Sequence, residues 1–374
     1  MLREEIKMKI DVITLHAVQN YGSVLQAFAT QELLKSHGCD VTIINYIRED
    51  VKYKNLIKKW SNGNLIKAIA IYPTILRWKS VFYDFINRNL NLSDKTYTTD
   101  EDFKNYPLNA DAYCTGSDQV WNSSWNLGIL PCLYLDFIPD DCYKFSFGAS
   151  FGKKHLSKNE VENTKKYINA YNRLSVRESS GKEILESQYG MSNVVHIVDP
   201  TLCVTGDFWR KFAPKRKVKE DYILIYNLNR SKEFDKYATK LAQKTGLKLV
   251  RFCTRYDQFY RPGKSILVPE VFDFINLIDN AKYVLTDSFH ATAFSLNLNT
   301  EPICVYPNEF GGRLESILVL TNTLQRHISD YNDFDVINRH VNFDEVNRIL
   351  DEERLKANNY IDIVIKEVED QKKK

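Results

Sequence analysis

One local pattern recurs along this chain and limits what it can fold into. A short, nearly continuous apolar run ends in a polar or glycine-bearing turn, and a helical segment follows. Residues 9–15 carry Ile10, Val12, Ile13 and Leu15, which suits a strand buried on both faces, as in a parallel sheet. Residues 16–23 are a polar loop with Gly22, and residues 24–36 place Leu25, Phe28, Ala29, Glu32 and Leu33 at helical spacing. His37-Gly38 is a helix stop, and residues 41–45 read as the next strand. That is a βαβ opening of the Rossmann-like kind. It contains no G-x-G-x-x-G, so a dinucleotide site is not indicated.

Further strands are expected at 110–113, 144–147, 172–176 and 194–198, each ending in a turn rich in Gly, Ser or charge. The pattern restarts after Thr205-Gly206. Strands are expected at 222–226, 248–252, 283–286 and 302–305, with helices at 232–244 and along Val271, Phe274, Ile275 and Ile278. A length of 374 residues suits about two domains. The expected division is a Rossmann-like domain over 1–210, with 51–105 as a helical insertion, and a second over 211–342. A helical segment over 343–374 follows, with Ile361, Val364, Ile365 and Val368 on one face.

Charge and cysteine usage narrow the classes. Fifty-one basic and 48 acidic residues leave +3, without the clustered excess of a nucleic-acid-binding protein, so no nucleic-acid partner is expected. Seven scattered cysteines with no C-x-x-C pair read as buried thiols of a reducing compartment, the cytoplasm. No run of about 18 apolar residues predicts a transmembrane helix, and the charged start does not read as a signal peptide. Within the insertion, Lys52, Lys54, Lys58, Lys59, Lys67, Arg77 and Lys79 are interleaved with aromatic and aliphatic residues, and 51–80 holds no acid. It reads either as helices with solvated lysines, or as a peripheral contact with anionic headgroups or a lipid-linked acceptor. In the second case the protein works at the inner face of the membrane.

The stretch 283–294 is the candidate site. An apolar strand ends in Thr286-Asp287-Ser288-Phe289-His290, and ligands of open α/β sheets sit outside such strand ends. His290 is the candidate proton carrier, with Asp287 beside it to orient the ring. Arg177, after the strand at 172–176, either binds a phosphate or carboxylate or pairs with Glu178. Arg313, after Gly311-Gly312, is a second basic group on a loop. Asn20, Gly22 and Ser23 precede a helix that can hold an anion, or Ser23 simply caps it. Asp118, Gln119 and Trp121 suit a sugar, or Asp118 caps a helix and Trp121 fills the core. No motif suggests a metal.

Six stretches occurring in order resemble the polysaccharide pyruvyl transferases: Asn20-Tyr21-Gly22-Ser23, Gly116-Ser117-Asp118-Gln119-x-Trp121, Gly148-Ala149-Ser150-Phe151-Gly152, Ser175-Val176-Arg177-Glu178, Asp199-Pro200-Thr201-Leu202 and Thr286-Asp287-Ser288-Phe289-His290. The resemblance implies two Rossmann-like domains facing a cleft, a GT-B-like fold. It implies phosphoenolpyruvate as co-substrate with no bound cofactor, and a glycan acceptor, free or lipid-linked. His290 would be the general acid, with Asp287 beside it. It gives Arg177 an anion-binding role; from the residues themselves, Arg313, Ser288, Asn20, Gly22 and Ser23 are expected to join Arg177 at the donor, and Asp118, Gln119 and Trp121 to lie at the acceptor. The chain departs from the family at one point. Better-described members carry Arg-Leu-His where it has Ser288-Phe289-His290, so either Arg313 or another basic group supplies the lost charge, or the donor is bound differently. Two rivals remain: a nucleotide-sugar glycosyltransferase, with Glu270 on a ribose, and a non-catalytic glycan-assembly protein. The oligomeric state is not legible.

Overall fold

The computed structural model describes residues 7–229, 231–307 and 311–373; the charged stretch 1–6 lies outside them. The chain divides into two compact units. The first comprises 1–49, 86–203 and 353–374, the second 50–85 and 204–352.

The first unit is built on five strands: β1 (Lys9–Ile13), β2 (Asp40–Tyr46), β3 (Leu92–Tyr97), β4 (Ala112–Thr115) and β5 (Tyr143–Ser146). All pair in parallel, in the order β3-β2-β1-β4-β5. A short pair, β6 (Ser175–Val176) and β7 (Val195–His196), continues the surface through single bridges from Phe145 to Arg173 and from Ala149 to Val176. The second unit holds β8 (Tyr222–Tyr226), β9 (Lys248–Cys253), β10 (Lys264–Leu267), β11 (Tyr283–Thr286) and β12 (Glu301–Cys304). Its order, β10-β9-β8-β11-β12, repeats the first, again all parallel. In each sheet the strand order reverses beside the first strand, which is where such sheets open a crevice at their C-terminal edge.

Two of the helices that follow strands beside these reversals are buried nearly all round. Helix Tyr21–Ser36 is buried from Tyr21 to Leu34 except at Glu32, and helix Phe289–Asn297 at every residue. The second achieves this with Ala291, Thr292, Ala293 and Ser295, whose small side chains let backbone approach. A Cβ on Gly206 would lie 2.5 Å from the Asn297 carbonyl oxygen, and the Asn297 amide donates to the Val204 carbonyl at 2.9 Å.

The observed division differs from the sequence-based boundaries at three places. Residues 50–85 belong to the second unit, not to an N-terminal domain. The stretch 86–105, expected as helix, contains strand β3. Residues 353–373 belong to the first unit: Tyr360 donates to the Ser146 carbonyl at 2.9 Å, and Arg173 forks onto Glu367 at 2.7 and 2.6 Å. The sequence misses β3 and β10 for one reason. Both are sheet-edge strands (Leu-Ser-Asp-Lys-Thr-Tyr and Lys-Ser-Ile-Leu), and edges carry polar and charged residues instead of a continuous apolar run.

One carboxyl group lies buried in the first sheet. Asp11, on β1, is buried, and its Oδ1 has no hydrogen-bond partner among the described residues. Burial pushes its pKa from 3.8 up to about 6, against the pull of Lys9. The folded state therefore favours the neutral acid, and the contribution is lost as pH rises from 3.8 towards 6. Asp11→Asn is expected to gain about 1–3 kcal/mol over the parent above pH 6, with the gain vanishing near pH 4 (about the ordinary Asp range). Urea unfolding at the two pH values measures this.

Candidate functional site

Strands β1 and β4 flank the reversal in the first unit, and the loops beyond them meet there. Asn20 caps helix Tyr21–Ser36, its side chain accepting from the Ser23 amide at 3.2 Å. Ser23, freed from capping, donates its hydroxyl to Asp118. Asp118 has φ 74°, a left-handed conformation that Asp adopts more readily than most residues. Arg177, directly after β6, donates to Asp118 at 3.3 Å, to Glu178 at 3.0 Å and to Asp199 at 2.6 Å. Around that shell, Ser150 donates to Glu178 at 2.8 Å and Ser117 to Asp199 at 3.3 Å. The Thr201 hydroxyl and amide donate to Asp199 at 2.7 and 3.0 Å. Five of the six resembling stretches thus meet around one guanidinium. Its burial disfavours the cation, but the carboxylates of Glu178, Asp199 and Asp118 outweigh it and hold the Arg177 pKa above its ordinary value.

Three expectations change here. Arg177 carries the salt bridge to Glu178 and two more, so its fork is engaged with carboxylates and does not stand open to a donor anion. Trp121 fills the core: it is 2% exposed, donates its indole N–H to the Leu133 carbonyl at 3.2 Å and stacks on Tyr134. Gln119 is buried, its Oε1 accepting from Asn122 at 2.7 Å. Gly152, at φ 60°, makes room for it, since a Cβ there would lie 2.4 Å from that oxygen. Gly22 is likewise buried in the first turn of its helix. The group expected to face donor and acceptor in this unit is an internal framework. His16 is fully buried too; its Nδ1 lies 3.3 Å from the Thr14 carbonyl oxygen, and burial lowers its pKa.

In the second unit β8 and β11 flank the reversal. Asp287, just past β11, accepts from the Leu228 amide at 2.7 Å, the Asn229 amide at 2.9 Å and the Asn229 side chain at 3.0 Å. Among the described residues none of its hydrogen bonds goes to His290, so the expected Asp287–His290 pairing is replaced by a tie to the loop after β8. Burial raises the Asp287 pKa, and the bonds from Leu228 and Asn229 oppose it. Ser288, where the family arginine is missing, is the cap of helix Phe289–Asn297, its hydroxyl accepting from the Ala291 amide at 3.4 Å. His290 sits in the first turn, 6% exposed, with its ring 5.3 Å from that of Phe289 and nearly perpendicular to it.

Arg313 comes to the same place. It lies in the first turn of helix Gly312–Leu320, and its guanidinium carbon stands 6.0 Å from the centre of the Phe289 ring, at the outer range of a cation–π contact. A Cβ on Gly311 would lie 3.0 Å from the Pro307 carbonyl oxygen. Phe289 thus has both an imidazole and a guanidinium near its ring. Sequence reasoning named His290 and Arg313 and passed over the Phe289 ring near both, and it missed Leu228 and Asn229, which carry no motif. A third group without a motif is Asp235, which accepts from Arg251 at 2.6 Å and from Arg261 at 2.8 Å.

Two Rossmann-like units with strand reversals define the GT-B class of fold. The chain is similar to the UDP-N-acetylglucosamine 2-epimerase of Rickettsia bellii, with 12% identity over 97% of each chain and a TM-score of 0.57. It is also similar to the UDP-GlcNAc 2-epimerase of Methanocaldococcus jannaschii, with 12% identity over 90% of this chain and 92% of that one, and a TM-score of 0.52. At such identity the likeness is one of fold. No curated protein matches the chain. The model of the polysaccharide pyruvyl transferase family matches residues 20–309, most of the chain, and the protein belongs to that family of transferases.

Removing the buried guanidinium strands three carboxylates. Arg177→Ala is expected to destabilise the protein by about 3–5 kcal/mol, read as a lowered urea midpoint. An unchanged midpoint would show that the cluster does not hold the unit together.

Proposed function

We propose that the protein transfers a pyruvyl group from phosphoenolpyruvate to a sugar of a cell-surface glycan or its precursor, forming a cyclic ketal and releasing phosphate. The observation that carries this reading is the grouping of His290, Phe289 and Arg313 beyond the end of β11. His290 protonates the methylene carbon of the enol, and positive charge develops at the neighbouring carbon. One sugar hydroxyl adds there and gives up its proton. The bond from that carbon to the phosphate oxygen then breaks, phosphate leaves, and a second hydroxyl closes the ketal. Histidine suits the first step because its ordinary pKa lies near neutral pH. Arg313 supplies the cation that Ser288 lacks, facing the phosphate or carboxylate of the donor. Asp287 acts at one remove, fixing the turn that aims His290.

The nucleotide-sugar rival gave Glu270 a ribose. Its carboxylate accepts from Arg77 at 2.7 Å, while the GT-B-like fold is consistent with either reading. Thermal stabilisation by phosphoenolpyruvate but not by UDP-sugars separates the two; the reverse result would favour the rival. With a responsive glycan acceptor, His290→Gln is expected to slow phosphate release about 10²–10⁴-fold with an unchanged melting temperature. Unimpaired release would remove His290 from the chemistry. Arg313→Ala is expected to weaken donor binding about tenfold, or ~1.4 kcal/mol, by titration calorimetry. An unchanged affinity would mean that the charge comes from elsewhere.

A further inference from the structure

The function proposed above makes no use of residues 50–85. They form helix Tyr53–Ser61, a left-handed turn at Asn62 and Gly63, and helix Leu65–Trp78. One face of the second helix is firmly mounted on its own unit. Ile71, Thr74, Ile75 and Trp78 are buried. The Trp78 indole donates to the Thr254 carbonyl at 2.8 Å, and the Thr74 hydroxyl accepts from the Tyr256 amide at 3.1 Å. Arg77 donates to the Val268 carbonyl at 3.0 Å and pairs with Glu270 at 2.7 Å.

Its other face is also apolar, yet exposed. Leu65 is 74% exposed, Ile66 79%, Ile69 67%, Tyr72 49% and Leu76 51%. Leu65, Ile69, Tyr72 and Leu76 recur at i, i+4, i+7 and i+11, a single ridge along a helix, and Ile66 lies beside it. Isolated exposed apolar residues need no explanation, but a contiguous ridge of them marks an interaction surface. The helices that carry it contain no acidic residue, and residues 51–83 hold seven basic ones. Lys58, Lys67 and Lys79 are exposed and form no ion pair among the described residues, while Lys59 reaches Asp50 at 2.7 Å.

We propose that this helix pair seats the protein on an anionic lipid surface, the ridge entering the headgroup–acyl boundary and the lysines meeting the headgroups. The charge pattern selects this occupant. A second copy seated face to face would set lysine against lysine, whereas an anionic bilayer complements them. The contact is peripheral, because no helix among the described residues is long and apolar enough to cross a membrane. It fits a lipid-carried glycan precursor as acceptor. It does not depend on the transferase reading, since vesicle binding needs no turnover and either can fail alone.

Flotation of the full chain with phosphatidylcholine vesicles, with and without phosphatidylglycerol, tests it. Binding is expected with the anionic vesicles and is expected to weaken with salt. The Ile66→Ser/Ile69→Ser variant, altered only at exposed positions, is expected to keep its melting temperature and bind about tenfold or more weakly. Lys58→Glu and Lys67→Glu are each expected to cost about fivefold or more. Absence of binding to anionic vesicles at low salt would overturn the proposal. So would a self-association, seen by sedimentation velocity in the parent and abolished by the isoleucine substitutions, without vesicle binding.

Discussion

The first unit depends on one buried cation. Arg177 stands where the loops after β1, β4, β5 and β6 and the turn after β7 come together, and Ser23, Ser117, Asp118, Ser150, Glu178, Asp199 and Thr201 reach it directly or through one neighbour. No single contact there is unusual. Three carboxylates that would each be costly to bury share a guanidinium that would itself be costly to bury, and hydroxyls fill the remaining acceptor sites. The arrangement stands only when complete, so glycines and serines nearby are constrained by it even where they touch no charge. Gly148, at φ 62°, and Gly152 turn the chain around it.

Both units tie the reversal of their sheets in the same way. A carboxylate on the loop after the fourth strand of the fold, Asp118 in one and Asp287 in the other, accepts from the loop or helix start that follows the strand at the centre of the sheet. In the first unit the tie is part of an enclosed network. In the second it holds the turn from which His290 projects, and the network beyond it is replaced by Phe289 and Arg313. The first motif cluster is thus a buried framework, although both look equally polar as sequence.

The fold was legible because parallel strands buried on both faces write themselves as apolar runs. β1, β2, β4, β8, β9 and β11 follow from such runs, while β3 and β10, at the sheet edges, do not. The insertion's helices were legible too, but not the unit they belong to, since a chain excursion from one unit to the other leaves no local mark. At the candidate site, motif content did not reveal which polar residues are buried among partners. Arg177 and Trp121 carry functional-looking side chains that packing takes inside. Asp287 stands three residues before a histidine in sequence but bonds to Leu228 and Asn229 after β8. Whether a polar residue ends in a framework or facing a ligand depends on partners far along the chain, and spacing within a motif cannot supply them. Arg313, to which the shortfall of charge at Ser288 pointed, lies 6.0 Å from the ring of Phe289.

The central claim is that His290 delivers a proton to the methylene carbon of phosphoenolpyruvate before a sugar oxygen adds. Turnover in deuterium oxide with a competent acceptor, followed by proton NMR of the product, tests it most directly. The account predicts a ketal whose methyl group carries one deuterium, formed by the parent protein and suppressed in His290→Gln. The same labelled ketal formed at an undiminished rate by that variant would contradict it, as would a product bearing a transferred sugar in place of the ketal.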